Sequence, residues 1–237
     1  MSLMHTMHKV VWVPVHPAGR AFVIAMVLAT LVVWVVLGFY LAQIPFILLL
    51  LTVYFFRDPT RTVPHTDGAV LSSADGVVSG IQQTHLPAEL GGDDTVYHKV
   101  SVFLSVFDVH VNRNPVTGTV CQSVYVPGKF INADMDKASE DNERSMVKVE
   151  TDSGEHIVFV QIAGLIARRI VSQLSVGQRI SQGERYGIIR FGSRCDIYFP
   201  LKYKLMVDIG SVVVGGESIL AVDTEVFSPD NISWNRV

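Results

Sequence analysis

The sequence predicts a mainly β protein, a compact barrel- or sandwich-like domain with few helices, preceded by an α-helical membrane hairpin at the N-terminus. Residues 21–56 contain no charged side chain, which is typical of a segment in lipid. From about residue 57, short apolar runs are broken by Gly, Asp, Asn and Pro, the pattern of short strands joined by turns. Helical periodicity in this region is scarce outside residues 163–174, so few further helices are expected.

The composition agrees with one ordinary domain plus an appendage in lipid. Hydrophobic residues make up 49% and charged residues only 17% of the 237 residues, whereas soluble domains usually contain about a quarter charged residues. The expected division is a cytoplasmic N-terminal segment (1–20), a membrane hairpin (21–56) and a β-rich domain (57–237).

The apolar segment is too long for one straight pass. As a single helix its 36 residues would span about 54 Å, against a hydrocarbon core of about 30 Å. Two passes fit better, with a turn near the middle at Gly38, Gln43 and Pro45. Basic residues lie on both sides of the segment: Lys9, Arg20, Arg57 and Arg61. The positive-inside rule then predicts that both ends are cytoplasmic. A shallow monotopic hairpin and a cleaved signal peptide are the alternatives, although the run is longer than a signal peptide requires.

Charge and cysteine content exclude several classes of protein. The formal net charge is -3 and the isoelectric point is near 6.2, so no nucleic-acid partner is expected. Cys121 and Cys195 form no Cys-x-x-Cys pair, which fits a reducing compartment and predicts no structural metal site.

The Gly192-Ser193 step is the first candidate for chemistry, because strand-like residues flank it on both sides. A serine hydroxyl held against the preceding carbonyl can attack it and convert the amide into an ester. If a base then removes the serine Cα proton, β-elimination cuts the chain and leaves a group that hydrolyses to a pyruvoyl N-terminus. Taken alone, Gly-Ser also marks ordinary turns.

Three further residues could take part in that chemistry or bind a substrate. Asp75 precedes a glycine where a β pattern breaks, which also describes a hairpin corner. His110 lies in an apolar stretch, where a histidine is either a core residue or a proton-transfer group. Arg113 is no base at ordinary pH, but it can bind a carboxylate or a phosphate.

Several segments together resemble the short, membrane-anchored phosphatidylserine decarboxylases, which carry a pyruvoyl cofactor. Residues 55–59 (Phe-Phe-Arg-Asp-Pro) resemble the signature that opens their soluble part, and 187–196 resemble their self-cleavage site. Residues 72–76 resemble Ser-Pro-Ala-Asp-Gly with Ser73 in place of proline, and 103–110 resemble Phe-Leu-Ser-Pro-x-Asp-x-His with Val106 in place of proline. Residues 127–144 resemble a further segment that contains Pro-Gly-Lys-Phe.

The resemblance implies a proenzyme that is cut between Gly192 and Ser193 into an associated β chain (1–192) and α chain (193–237). Ser193 would become the pyruvoyl cofactor, which binds the substrate amine as a Schiff base and converts phosphatidylserine into phosphatidylethanolamine. Asp75 would contribute to self-processing and His110 to protonation. The remaining candidates are substrate-side residues: Lys129, and Arg113, which stands where long-form relatives have a second histidine.

The lipid substrate and the membrane anchor together predict that the protein is located at the inner cell membrane, with its β-rich domain on the cytoplasmic side. A homo-oligomer is possible. Two other functions stay open at this point. A pyruvoyl decarboxylase of a soluble amino acid or another amino-acid-headgroup lipid would share Ser193, and a non-catalytic membrane-tethered β module would share the anchor.

Overall fold

The computed structural model describes residues 13–91, 94–128, 142–164, 170–190 and 193–237. The chain forms two compact units, Met1–Thr60 and Arg61–Val237. The first unit is helical where it is described, and the second is built almost wholly of strands.

The first unit contains two apolar helices, α1 (Pro17–Leu37) and α2 (Phe39–Phe55). Proline at the first position of α1 costs no hydrogen bond, because that N–H has no helical partner. The His16 imidazole caps the same end by accepting from Ala18 N at 3.2 Å. Gly38 separates the helices with φ +87°, a left-handed conformation that glycine adopts without strain.

The two helices form an antiparallel hairpin, as expected. His16 N donates to Phe56 O and Asp58 N donates to Pro14 O, both at 2.8 Å. The Phe56 ring lies against Gly19, where a β-carbon would come within 2.3 Å of the ring. The start of α1 therefore meets the end of α2. The turn is at Gly38 alone, because Gln43 and Pro45 lie inside α2.

The described residues of the second unit contain 16 strands and two short 3-10 helices at Ala88–Leu90 and Pro229–Asn231. The strands are β1 (Thr62–His65), β2 (Ala69–Leu71), β3 (Gly76–His85), β4 (Val96–Leu104), β5 (Val111–Arg113), β6 (Gly118–Val126), β7 (Arg144–Glu150), β8 (His156–Ala163), β9 (Ile170–Ser172), β10 (Arg179–Ile180), β11 (Arg185–Ile189), β12 (Ser193–Pro200), β13 (Tyr203–Leu205), β14 (Val212–Val213), β15 (Ile219–Asp223) and β16 (Ser233–Arg236).

The strands form one large antiparallel sheet and three small ones. Within the described residues, the large sheet has the order β10-β6-β7-β8-β12-β4-β3-β14. The small sheets have the orders β5-β11-β9, β13-β15-β2 and β1-β16. The prediction of a mainly β domain behind a helical hairpin is confirmed. The helical periodicity of residues 163–174 is misleading at its C-terminal part, because Ile170–Ser172 is strand β9, while residues 165–169 lie outside the described residues.

The large sheet is covered on both faces near its centre. On β8, Ile157 and Phe159 belong to the main core, while Val158 and Val160 belong to a second apolar cluster on the opposite face. Successive side chains of a strand point to opposite faces, so both faces of β8 are buried. This explains why the central strands consist of nearly continuous apolar residues rather than alternating ones.

Candidate active site

Ser193 is the first residue of β12, a central strand of the large sheet. It pairs with Leu104 of β4 on one side and Ala163 of β8 on the other. Two and four residues later, Cys195 and Ile197 belong to the main core, so the alternation of strand side chains directs the Ser193 hydroxyl to the same face. The serine is completely buried.

The Ser193 hydroxyl has no hydrogen-bond partner among the residues that the structure describes. Gly192, on the other side of the predicted cleavage bond, lies outside those residues. A buried hydroxyl left without a partner costs about 1–3 kcal/mol. Such a cost at a central strand is typical of a site held for chemistry rather than for stability.

Asp75 lies at the same end of the large sheet as Ser193. Val77 pairs with Phe103, and Phe103 pairs with Arg194 on its other side. In the adjacent row of paired residues, position 76 of β3 and position 193 of β12 lie on either side of β4. Their Cα atoms are therefore two strand spacings apart, or about 9.6 Å. Asp75 directly precedes that row.

The glycine after Asp75 is required by the close approach of two strands. Gly76 has φ +152°, and a β-carbon there would lie 2.0 Å from the Phe103 carbonyl oxygen. Only glycine allows β3 to begin this close to β4. The Asp-Gly pair is thus the corner that brings the Asp75 carboxylate to this end of the sheet.

Two groups hold the Asp75 carboxylate. Gly215 N donates to Oδ1 at 2.8 Å, and the Arg61 guanidinium donates from Nη2 to Oδ2 at 2.5 Å. Burial raises the pKa of Asp75, the Arg61 charge and the Gly215 N–H oppose this rise, and the charge of nearby Asp108 adds to it. The carboxylate is therefore a stronger base than an exposed aspartate.

His110 is completely buried and follows the turn that leaves β4. That turn is closed by Asp108, whose Oδ2 accepts from Ser105 N at 2.8 Å. The His110 Nδ1 lies 3.0 Å from the Asp108 carbonyl oxygen. A carbonyl oxygen can only accept, so Nδ1 carries a proton in this contact.

The backbone places His110 where β11 leads into β12. Ile189 N donates to His110 O at 3.3 Å, and only residues 190–192 separate Ile189 from Ser193. Those four steps of chain span at most about 14 Å. His110 therefore lies beside the start, and Ser193 at the end, of the same short connection between β11 and β12.

A buried polar cluster lies on the core face of β12, beyond Ser193. Asn112 donates from Nδ2 to Cys195 Sγ at 3.4 Å, and Gln161 donates from Nε2 to Asn112 Oδ1 at 2.8 Å. Burial raises the pKa of the Cys195 thiol, and the charge of Asp196 adds to this rise. A thiol with a raised pKa is a weak nucleophile at neutral pH, because little of it is thiolate.

The two other predicted site residues are Arg113 and Lys129. Arg113 is buried, and its Nη1 donates to the carbonyl oxygens of Gly183 at 2.8 Å and Val237 at 3.3 Å. Lys129 lies outside the described residues.

Arg61 and Gly215 were missed by the sequence reasoning. The sequence analysis counted Arg61 only among the basic residues that flank the apolar segment, whereas its side chain is mostly buried against Asp75. Arg61 is 14 positions from Asp75 in the sequence, and Gly215 is 140 positions from Asp75. No local sequence pattern reports contacts at such separations.

Comparison with known proteins identifies relatives that cover most of the chain. The family model for phosphatidylserine decarboxylase matches residues 48–221. A phosphatidylserine decarboxylase proenzyme of Ruegeria pomeroyi is 47% identical over 211 residues, 88% of this chain and 94% of that protein. Proteins with the same name are 55% identical over 169 residues in Rickettsia akari (71% and 73% of the two chains) and 52% identical over 181 residues in Rickettsia typhi (76% and 78%).

Fold and site together define a mainly β protein with a completely buried serine at the start of a central strand, and with a buried aspartate at the same end of the sheet. The chain belongs to the phosphatidylserine decarboxylase family.

Proposed function

We propose that the protein decarboxylates phosphatidylserine to phosphatidylethanolamine, using a pyruvoyl group that it makes from Ser193. The relatives of this name support the reaction. The observation that carries the proposal is the buried Ser193 hydroxyl, which has no partner among the described residues and lies at the end of the sheet that also holds Asp75 and His110.

Self-cleavage would proceed in three balanced steps. Ser193 Oγ attacks the Gly192 carbonyl carbon, and the peptide nitrogen leaves to become the amine of Ser193, so that an ester replaces the amide. A base then removes the Ser193 Cα proton, and the ester oxygen departs with Gly192 as a carboxylate. The dehydroalanine that remains takes up water and releases ammonia, which leaves a pyruvoyl group on the α chain.

Asp75 is suited to the base in this sequence. Its raised pKa makes the carboxylate a better proton acceptor, and its contacts with Arg61 and Gly215 hold it in one orientation. The glycine at position 192 leaves the attacked carbonyl unhindered.

In the mature enzyme, the pyruvoyl group supplies a ketone that binds the serine amine and accepts the electrons released with carbon dioxide. His110 would first take up a proton at Nε2 and then deliver it to the substrate carbon, where it replaces the carbon dioxide that has left. The contact between His110 Nδ1 and the Asp108 carbonyl oxygen fixes the orientation of the ring. The burial of the ring limits contact between its Nε2 and bulk water. The β and α chains would stay associated, because β12 lies between β4 and β8 of the other chain.

The activity is tested with purified full-length protein and vesicles that contain phosphatidylserine. We expect release of one carbon dioxide per phosphatidylethanolamine formed, and loss of turnover after treatment with hydroxylamine, which consumes ketones. Free serine is the matched control substrate. Equal turnover of free serine would favour a decarboxylase of soluble amino acids instead.

Arg61 is predicted to set the pH range of self-cleavage. Cleavage requires the Asp75 carboxylate, so its rate falls as the pH drops through the Asp75 pKa. The Arg61 charge lowers that pKa, and Arg61→Gln should therefore shift the acidic limb of the rate profile to higher pH, whereas Arg61→Lys should shift it less. Fragment formation after in vitro synthesis measures the rate. Arg179→Gln, which breaks an exposed pair with Asp152, is the control, and an unshifted Arg61→Gln profile would remove Asp75 as the base.

Substrate binding by Arg113 and Lys129 remains a prediction. Arg113→Lys loses the paired donors that match a carboxylate or phosphate, so we expect a raised KM for phosphatidylserine at a similar kcat. The buried contacts of Arg113 with Gly183 and Val237 give a second readout, the Tm. A lower Tm at unchanged KM would show that Arg113 supports the fold only.

We further propose that the helical hairpin anchors the enzyme to the inner membrane, with the β unit on the cytoplasmic side. The helix Pro17–Leu37 is long and apolar enough to cross a membrane, a property shared with signal sequences, and α2 is shorter. The two ends of the hairpin meet. This supports a topology in which the basic residues before and after the hairpin lie on the same side of the membrane.

The anchor is predicted to affect access to lipid and not chemistry. A chain that begins at Arg57 should still fold and cleave itself, because Asp75, His110 and Ser193 all lie downstream. Its turnover of phosphatidylserine in vesicles should fall by about 10²-fold, since encounter is no longer confined to a surface, while monomeric short-chain phosphatidylserine should lose little. Rates on both substrates decide this, and an equal loss on both would contradict a role in tethering alone.

A further inference from the structure

The cysteine spacing predicts no structural metal site, yet three side chains of the kinds that bind transition metals meet on adjacent strands of the large sheet. They are Cys121 of β6, Glu150 of β7 and His156 of β8. The thiol sulfur, a carboxylate oxygen and an imidazole nitrogen all lie within 4.8 Å of one another, and Cys121 Sγ is 3.9 Å from Glu150 Oε2.

The sheet register explains why two of these side chains meet. Glu150 and His156 are a directly opposed pair at the start of the β7–β8 turn. Directly opposed residues of antiparallel strands project from the same face with about 5 Å between their β-carbons. The carboxylate and the imidazole therefore lie side by side.

A β-bulge adds the cysteine. Thr119 pairs with Glu150 and Val120 with Val149, but the register shifts before Gln122, so Cys121 is the extra residue. Val120 is held from the other side, because its N donates to Gln178 O and its O accepts from Gly177 N. A bulge redirects a side chain, and here it turns the Cys121 thiol towards Glu150.

We propose that Cys121, Glu150 and His156 bind a zinc-like divalent cation. Thiolate, imidazole and carboxylate are ligands that zinc binds at about 2.0–2.3 Å. Two ligand atoms at the corners of such a tetrahedron lie about 3.5 Å apart. A movement of the three side chains by about 1 Å would therefore complete the site. Sulfur and nitrogen ligands disfavour magnesium and calcium. Cys121 and His156 are half-buried and Glu150 is exposed, which leaves a path for the ion and a fourth position for water.

The metal site is separate from the proposed chemistry at Ser193. Strand β8 runs from His156 to Ala163, and Ala163 is the residue that pairs with Ser193. The seven residue steps between His156 and Ala163 span about 23 Å. A cation would join β6, β7 and β8 at the far end of the sheet and stabilise the β chain, without touching the cleavage bond.

Cobalt titration of the full-length protein in detergent tests the site. Co²⁺ bound through a thiolate gives a charge-transfer band in the near ultraviolet, and we expect one equivalent to develop it and Zn²⁺ to abolish it. Zinc should also raise the Tm. Cys121→Ser and His156→Asn should lose the band, and Glu150→Gln should weaken binding at least tenfold.

The controls separate this site from other thiols and from misfolding. Cys195→Ala removes the buried cysteine and His85→Asn removes an exposed histidine, and both should keep the band. Unchanged self-cleavage in Cys121→Ser would show that this variant folds. Absence of the band in the wild type, or its survival in Cys121→Ser, would overturn the proposal whatever the outcome for decarboxylation.

Discussion

Ser193→Ala is expected to remain a single 237-residue chain with no decarboxylase activity. The variant lacks the oxygen that attacks the Gly192 carbonyl, so neither the ester nor the pyruvoyl group can form. Wild-type protein should instead give fragments of 192 and 45 residues, the smaller one blocked to N-terminal sequencing because it begins with a keto-acyl group. Intact-mass spectrometry of the denatured protein measures both outcomes.

Ser101→Ala is the matched control for this experiment. Ser101 lies on the neighbouring strand β4, opposite Asp196, and it is also largely buried. Its removal should leave cleavage intact. Fragments of the wild-type masses from Ser193→Ala would mean that another group cuts the chain.

His110→Ala should cleave itself yet lose turnover by about 10²–10⁴-fold, the usual contribution of a positioned acid or base. The imidazole is the group that we assign to protonation of the substrate carbon, a step that follows cleavage. Steady-state rates on phosphatidylserine, normalised to the amount of cleaved protein, measure the effect. His85→Ala is the control, because His85 Nδ1 also lies near a carbonyl oxygen, that of Thr95 at 3.2 Å, but the side chain is exposed.

Asp75→Ala should fail one step earlier and accumulate as uncleaved chain. Its carboxylate is the base that we assign to removal of the Ser193 Cα proton. The two variants thus distinguish processing from turnover. If both cleaved and turned over substrate like the wild type, Asp75 and His110 would be residues of the fold only.

Much of the fold class could be predicted from the sequence, because its signals are local. An uncharged run of 36 residues predicts helices in lipid, and short apolar runs between Gly, Asp, Asn and Pro predict strands. The position of the hairpin turn was predicted less well. Gly38 breaks the helix because it adopts a left-handed conformation, whereas Pro45 is accommodated within α2.

The helical periodicity of residues 163–174 also misled the prediction, at residues 170–172. Within that stretch, Ile170–Ser172 forms strand β9 by pairing with β11. Pairing with a distant strand outweighs a weak helical period, because the backbone groups gain partners and the apolar side chains enter the core. Propensity alone does not report whether such a partner exists.

The sequence by itself predicted the candidate chemistry at Ser193, Asp75 and His110 through its resemblance to a known family, because short motifs of consecutive residues can be recognised in a linear chain. Only the tertiary structure decided that Arg61 and Gly215 hold the Asp75 carboxylate, and that Cys121, Glu150 and His156 converge. The second arrangement depends on the register of β7 against β8 and on a bulge in β6. Register is set by the packing of whole sheets, through contacts between residues that lie far apart in the chain.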